Sequence, residues 1–347
     1  MTKTALRHIS ATIAAGCLAA QGQILFTSAD LPGQVGDYYR AYAHTDSVDV
    51  TGLAGQAGGP HRWDFSAPPA TNEEVWRMDV TPLTDGGQEA YFPDATYIER
   101  TTVEGTNKVS RSYYRIVPSE GRRYYGSYDV YANPEAPLTQ LYSPATDLPT
   151  PINYGTTWTC TEDWPAKIDY IFFVCDVTVH FTSQAQADAY GTIVLPSLGE
   201  LPSLRVNELH TWVVTNQTLG LVTTEYFRNY YWLVRGVGKA VEILSEPEEV
   251  VVLPADFTVA RHFLRVFEAS KATNAPALRP VTGLLASAEP GKVILSWMQE
   301  TNRSGYRVEG LPLLGSTNWQ VLAEPAANAW TNPTPANQGF FRVFSKP

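Results

Sequence analysis

Strict alternation of apolar and polar residues constrains the fold of this chain more than any other sequence feature. It is clearest between residues 170 and 181, where apolar side chains occupy every second position: Ile171, Phe173, Cys175, Val177 and Val179. Polar residues stand between them, including Asp176, Thr178 and His180. Successive side chains of a strand point to opposite faces, so the pattern predicts a strand with one buried and one solvent-facing side.

The composition extends this expectation to the whole chain. Among the 347 residues are 25 Gly, 25 Pro and 19 Tyr, and only 17% are charged, against roughly 25% in an average soluble domain. Many turn formers and aromatic residues favour short strands joined by loops over helices. Further predicted strands are residues 112–117, 123–131, 156–161, 204–214, 221–234, 239–244 and 250–253, with a turn at 236–238. Residues 257–267 fit either a strand or a short helix.

The chain is long enough for two domains, and we expect both to be all-β. Residues 23–268 predict a large antiparallel β-sandwich of jelly-roll type, because many short strands follow one another at regular spacing. Residues 269–280 are polar and contain Pro276 and Pro280, which is typical of a linker. Residues 281–347 predict a small second β-unit, with strands at 292–297, 305–309, 319–322 and 340–344.

Residues 1–22 have the pattern of an export signal and are not expected to belong to the fold. Lys3 and Arg7 form a basic start, an apolar run follows, and residues 20–22 offer the small side chains of a cleavage site. The four residues that end at Cys17 resemble a bacterial acylation site, but Ala stands where Leu is usual. The sequence therefore predicts a secreted or cell-surface protein, and it favours cleavage over a lipid anchor.

Such cleavage leaves two cysteines, Cys160 and Cys175. An even number in an exported protein favours a disulfide. The closed loop would hold about 16 residues and contribute roughly 3 kcal/mol in the chain-entropy description. Two buried free thiols are the alternative, because a free cysteine packs as a small hydrophobic residue. No Cys/His spacing predicts a zinc site.

Charge and hydropathy exclude two classes of partner. Loss of Lys3 and Arg7 with the signal takes the net charge from −10 to −12. An acidic surface repels nucleic acid and anionic lipid. After residue 22 the chain has no apolar run of about 18 residues, so no second membrane span is expected.

The C-terminal unit resembles a fibronectin type III domain. Residues 293–297 followed by 304–309 are similar to the B and C strands of that sandwich. Residues 339–343 resemble the end of small C-terminal modules in exported proteins of Verrucomicrobia-like and Bacteroidetes-like bacteria. The resemblance implies a small β-sandwich, although about 67 residues is short of the roughly 100 in a complete module.

The larger unit resembles an uncharacterised exported β-domain of the same bacteria. The matching stretches are scattered: residues 26–32, 63–66, 154–158, 187–193, 204–206 and 231–232. This resemblance implies location and an all-β fold, and it carries no catalytic residues over to this chain. Several family members end in a secretion-sorting module, so the last unit here serves either that purpose or as a spacer.

Six aromatic residues are candidates for a ligand platform: Tyr124, Tyr125, Tyr128, Tyr131, Tyr230 and Trp232. Alternation predicts Tyr124 and Tyr128 on one face of a strand, and Tyr125 and Tyr131 on the other. An exposed aromatic row can stack on the apolar faces of sugar rings while neighbouring polar groups bind the hydroxyls. The alternative is that both rows are buried in the core.

No catalytic motif is present, neither Gly-x-Ser-x-Gly nor His-Glu-x-x-His. The interior acids that could form a catalytic carboxylate pair are Glu73, Glu74, Glu162, Asp163, Asp188 and Glu208. The candidate proton carriers are His44, His61, His180, His210 and His262. Structural or solvated roles are the alternative for each. Asp46 and Asp49 could join a surface Ca²⁺ site, although their spacing matches no defined loop, and no other cofactor is expected.

Three functional hypotheses follow. We favour a non-enzymatic exported protein that contacts a glycan or another cell-surface polymer through exposed aromatic residues. The alternative is a carbohydrate-active enzyme, a polysaccharide lyase or glycoside hydrolase, whose acids or Tyr/His pair meet on a jelly-roll face only after folding. The third is a structural envelope protein with no small ligand.

Overall fold

The computed structural model describes residues 24–131, 134, 137–170, 173–249, 254–272, 279–281, 283–289, 292–299, 305–311, 320–332 and 340–346. The predicted export signal with Cys17, the predicted strand 250–253 and linker residues 273–278 lie outside these ranges. Most of the described residues are in strands. The regular elements among them are these strands and three short 3-10 turns, with no α-helix. Among the described residues there is no helix long and apolar enough to cross a membrane. The chain divides into two compact units, residues 23–277 and a unit containing 278–347.

Fourteen strands build the larger unit. They are β1 (Tyr38–His44), β2 (Val48–Asp49), β3 (Gly58–Asp64), β4 (Glu74–Pro82), β5 (Tyr97–Val103), β6 (Val109–Val117), β7 (Gly121–Asp129), β8 (Leu138–Pro149), β9 (Thr157–Tyr170), β10 (Phe173–Leu195), β11 (Gly199–Asn216), β12 (Leu221–Val234), β13 (Gly238–Ser245) and β14 (Val259–Ala269). The segment that fitted a strand or a helix is therefore strand β14. The predicted turn at residues 236–238 joins β12 to β13.

All fourteen strands belong to one sheet. Its hydrogen-bonded order is β3-β10-β11-β12-β13-β14-β1-β4-β5-β6-β7-β8, with β9 also on β10 and β2 on β14. Every pair is antiparallel except β3 with β10, so the prediction of a purely antiparallel sheet is wrong for this pair. The reason is the length of β10: β9 pairs with residues 173–186, which leaves the edge at residues 189–194 free to accept β3.

The sheet curls until strand β8 at one edge meets strand β9 at the other. Leu141 and Ala145 of β8 pack against Cys160 of β9, although the two strands share no ladder. Leu148 of β8 packs across the concave side onto Tyr231 of β12, in one buried apolar cluster. One curled sheet therefore supplies two facing walls, and the expected all-β, sandwich-like architecture is confirmed at this level.

The strands run between two openings of the curled sheet, one at each end of the strand direction. One end is covered by the N-terminal segment, where Phe26 and Leu31 join the apolar cluster that contains Leu148. We call the opposite end the mouth end. It contains the last residues of β1, β5, β7, β11 and β13 and the first residues of β4, β6, β12 and β14.

The alternation in β10 is confirmed. Cys175, Val177 and Val179 are buried, whereas Asp176 and His180 on the other face are exposed. The buried members share the concave side of the sheet with Trp164, because Val179 lies opposite Trp164 on β9.

The predicted disulfide is wrong. Cys160 and Cys175 are both buried free thiols. Cys160 lies opposite Ser183, eight positions along β10 from Cys175. At about 3.3 Å per residue this register separates the two cysteines by about 26 Å along the sheet, far beyond the reach of a disulfide. A long hairpin can bring cysteines onto neighbouring strands without bringing them together.

Two buried ion pairs attach the loops around residues 54–55 and 65–66, which cover the convex side, to the sheet. Arg205 of β11 donates two hydrogen bonds to Asp188 of β10, at 2.9 and 2.7 Å, and others to the carbonyls of residues 54 and 55. Arg265 of β14 binds Glu73 at 3.0 and 2.8 Å and the carbonyls of residues 65 and 66. Each guanidinium thus satisfies a carboxylate and a loop backbone at once.

The C-terminal unit has seven described strands in two antiparallel sheets: β15 (Arg279–Pro280), β16 (Leu285–Glu289), β17 (Lys292–Ser296), β18 (Gly305–Leu311), β19 (Gln320–Ala323), β20 (Ala329–Asn332) and β21 (Phe340–Lys346). The sheet orders are β15-β21-β18-β19 and β16-β17-β20. Trp297, Tyr306 and Val308 are central to its core, where the two aromatic rings meet edge to face at 5.1 Å.

We expect Asp188→Ala to lower the free energy of unfolding by about 3–5 kcal/mol, because it leaves the buried Arg205 guanidinium without its counter-charge. Urea denaturation followed by tryptophan fluorescence measures the change. The matched control is Asp176→Ala, since Asp176 forms an exposed ion pair with Lys167 and such pairs contribute about 1 kcal/mol or less. Equal effects of the two substitutions would contradict this role of the Arg205 pair.

We expect Cys160 and Cys175 both to react with iodoacetamide in denaturant without any reductant, because the register holds them apart. Mass spectrometry of the peptides measures the labelling. A peptide in which the two cysteines are linked would show that the register of β9 and β10 differs from the one described.

Candidate functional site

Two of the six predicted platform residues belong to the core. Tyr230 and Trp232 of β12 are 2% and 0% exposed. The Trp232 ring packs edge to face against Trp63 and Phe65, at centroid distances of 5.8 and 4.8 Å. They lie on the convex side of the sheet, which β3 and the loops around it cover, so these two rings are not available to a ligand.

A β-bulge changes the faces predicted for the tyrosines of β7. The register shifts at Tyr124/Gly126, so Tyr125 and Tyr128 share one convex-side cluster with Phe92, while Tyr124 lies on the concave side against Tyr114, at 5.2 Å. Gly126 has φ 141°, and a Cβ there would lie 2.1 Å from the Thr139 carbonyl oxygen. Only glycine fits at this position, so the predicted pairing of Tyr124 with Tyr128 is wrong.

Tyr131 alone of the six is exposed, at 45%. It follows the end of β7 and lines a cavity of about 280 Å³ at the mouth end of the sheet. Trp76 of β4 is the second aromatic ring in this cavity. The other lining residues are mostly polar: Thr45, Glu74, Thr101, Val103, Lys108, Val109, Ser110 and Asp129. We call this the mouth cavity.

Neighbouring groups hold the Trp76 ring in place. Its indole N–H donates to a Glu74 carboxylate oxygen at 3.1 Å. The His262 ring of β14 lies 5.5 Å from it, centroid to centroid. Burial lowers the pKa of His262, so the imidazole beside Trp76 is uncharged at neutral pH. The cavity therefore has one fixed ring in Trp76 and one exposed ring in Tyr131.

A row of rings continues from the mouth cavity across the concave side. Trp164 of β9 and Phe227 of β12 each lie 5.9 Å from Trp212 of β11, in edge-to-face geometry. Arg261 of β14 stands over the Phe227 ring at 5.1 Å and precedes His262 in the chain. We call Trp164, Trp212, Phe227, Arg261 and His262 the ring band. Trp212 is its exposed centre, at 38%.

Deeper on the concave side lie two of the predicted acids. Glu208 of β11 accepts hydrogen bonds from Tyr231 at 2.9 Å and Asn229 at 3.4 Å, and its other partner is His210 at 2.9 Å. Burial raises the pKa of Glu208, but these partners and Lys239 outweigh burial and bring its pKa to about 2. Glu162 of β9 accepts a hydrogen bond from the Cys160 thiol, at 3.7 Å.

Glu162 and Glu208 thus titrate far apart. Burial, aided by the negative charge of Asp147, raises the pKa of Glu162 to about 7. One carboxyl is therefore close to half-protonated at neutral pH while the other stays ionised. Environments that separate the pKa values of two carboxyls are typical of acid/base pairs in enzymes, although buried structural networks also produce them.

Two cations, on strands β7 and β13, lie close to these acids. Arg122 of β7 binds Asp147 at 2.6 Å and Glu99 at 3.0 Å, and it stacks on the Tyr114 ring at 4.5 Å. Lys239 of β13 stands 4.3 Å from the centre of the Tyr231 ring. Burial lowers the pKa of Lys239, but the carboxylates around it, including Glu242 and Glu208, raise it overall. Both cations therefore stay charged at neutral pH.

The remaining candidates have structural partners. Glu73 holds Arg265 and lies 3.5 Å from His44, and Asp188 holds Arg205. Asp163 and His180 pair at 2.7 Å on the other side of the sheet, and the His61 ring packs against Trp63 at 5.2 Å. One Asp49 oxygen accepts the amide of Thr51. Within the described ranges no group of three His, Cys, Asp or Glu residues could hold a metal ion, at Asp46 and Asp49 or elsewhere.

No protein-family model matches this chain, and no curated protein matches it either. The site therefore has to be interpreted from its own geometry. Sequence reasoning had not selected Trp76, Trp164 or Trp212. Each lies at an alternating position of a strand, but which of the two faces becomes concave is decided by the curling of the sheet.

We expect Glu162 to make the protein less stable as pH rises. Its pKa is raised on folding, so its contribution is fully present below about pH 4.5 and is lost as pH rises through about 7. Replacing Glu162 by Gln should remove this loss and make the variant more stable than wild type at pH 8, by roughly 3 kcal/mol at most.

Urea denaturation at several values between about pH 5 and 8 measures this difference. The control is Glu225→Gln on strand β12, which makes the same chemical change at an exposed position. A constant difference between wild type and Glu162→Gln over this range would contradict the raised pKa.

Proposed function

We propose that this protein is exported and contacts a saccharide at the mouth cavity. The observation that carries the proposal is the pairing of a fixed and an exposed aromatic ring, Trp76 and Tyr131, in a cavity whose other lining residues include hydroxyl and charged side chains. Aromatic faces accept the C–H face of a sugar ring, and the polar groups around them bind its hydroxyls.

The cavity suits a small ligand that has both apolar and polar faces, because Trp76, Tyr131 and two valines line it beside the polar residues. Its volume of about 280 Å³ lies just below the range of sites for drug-sized molecules. Hydroxyls of Thr45, Thr101 and Ser110 and the charged groups of Lys108 and Glu74 offer both donors and acceptors. A purely structural envelope role, the third hypothesis, would need no such arrangement.

We expect Tyr131→Ala to weaken binding of the best saccharide about fivefold to tenfold, the equivalent of roughly 1 kcal/mol for one stacked ring. A glycan array identifies the ligand, and calorimetry measures the affinity. Tyr142→Ala is the matched control, because Tyr142 is also exposed but lies on β8, outside the cavity. Equal affinity of the two variants would contradict a role for the cavity.

Glycoside hydrolysis is the second candidate function. It is favoured by Glu162 and Glu208, which lie on the same concave side with pKa values of about 7 and 2. In such a reaction Glu162 would donate its proton to the leaving oxygen, and Glu208 would remain the ionised partner. Release of reducing sugar that is lost in Glu162→Gln, with binding retained, would favour this function over simple contact.

We propose further that the C-terminal unit is a fibronectin type III-like module. The division of its strands into a three-stranded and a four-stranded sheet around Trp297 supports this. The proposed similarity of the larger unit to an exported bacterial β-domain rests on the sequence stretches alone. Export itself rests on residues 1–22 and is tested by N-terminal sequencing of the protein recovered from the medium or cell surface.

A further inference from the structure

The ring band begins where the mouth cavity ends. Trp76 lines the cavity and contacts His262, and the band then continues through Arg261 and Phe227 to Trp212. These three contacts are between 5 and 6 Å, His262 and Arg261 are neighbours in the chain, and both features lie at the mouth end of the same sheet. A ligand that leaves the cavity on the His262 side would therefore meet the band next.

We propose that the ligand is a chain of several sugar units, with one end in the mouth cavity and the following units lying along the ring band. This rests on the proposed saccharide contact and defines the ligand class for the same site. Trp76 stands on β4 and Trp212 on β11, with four strands between them in the sheet, and the contacts that link the rings are each between 5 and 6 Å. The row of rings is therefore longer than a single sugar unit.

The rings of the band differ in what they can offer. Trp212 is exposed and can stack directly on a sugar unit. Phe227 is buried, and its part is to support Trp212 from one side as Trp164 does from the other. Arg261 is exposed and holds five N–H donors for ring hydroxyls. The exposed Trp212 ring, with the N–H donors of Arg261 farther along the band, can therefore bind a further unit of a sugar chain that begins in the mouth cavity.

Charge selects neutral chains over acidic ones. The protein has a net charge of −10, and the acids Glu74 and Asp129 line the mouth cavity. Lys108 in the cavity and Arg261 in the band are cations beside them. Glu225 stands on β12 opposite the exposed centre of the band. A polyuronate or sulfated chain would bring one negative charge per unit onto a protein whose net charge is negative, which opposes binding.

The test is the affinity for neutral β-1,4-linked glucose, mannose and xylose oligosaccharides, from monosaccharide to hexasaccharide, with an oligogalacturonate series as the acidic comparison. In the wild-type protein the affinity should rise with length for at least one neutral series and stay weak for the acidic one. Trp212→Ala should abolish most of this rise, lowering hexasaccharide affinity about fivefold or more, and leave monosaccharide affinity unchanged.

Tyr131→Ala separates the two proposals, because it should weaken every length by the same factor. Arg261→Ala, at an exposed position, should reduce affinity for the long chains only and provides a second variant if Trp212→Ala perturbs folding. A wild-type affinity that is independent of length, or an equal loss at all lengths in Trp212→Ala, would overturn the extended chain and leave the cavity intact. Absence of binding at every length would overturn both.

Discussion

Both sides of this sheet carry apolar residues that must be covered, and the described part of this chain has no α-helix with which to do so. Strand β3 and the loops around it cover part of the convex side, and the sheet covers its concave side by curling onto itself. The fourteen strands curl until β8 packs on β9, and the apolar residues near the N-terminal segment then meet across the concave side. Every functional feature described depends on this closure, because it makes one side of the sheet an interior.

The closure also explains the buried charges. Every second position of a strand points inward once the sheet curls, and some of these concave-side positions are Glu, Asp, Lys or Arg. Arg122 forms ion pairs with Asp147 and Glu99, while Glu208 is hydrogen-bonded to Tyr231, Asn229 and His210. Pairing makes such burial tolerable. Glu162 has a thiol rather than a cation as its hydrogen-bond partner, and burial then raises its pKa.

The aromatic residues show how far strand periodicity reaches. Alternation correctly predicted the buried face of β10 around Cys175, because no bulge interrupts the strand there. It failed at Tyr124, Tyr125 and Tyr128, because the bulge at Gly126 inserts one extra residue and reverses the faces beyond it. It could not select Trp212, since only the register across β9, β10, β11 and β12 places that ring beside Trp164 and Phe227.

The sequence by itself determined that the chain is all-β, that the segments of β6, β7, β11, β12 and β13 are strands and where β12 turns into β13, because these follow from local periodicity and turn chemistry. It did not predict strands β1, β3, β4, β5 and β8. The tertiary structure decided the rest. Pairing of β3 with the far half of β10, separation of Cys160 from Cys175 and convergence of Trp76, Tyr131 and the ring band all depend on contacts between residues distant in the chain. Those contacts are fixed by strand register and curvature, which no local pattern contains.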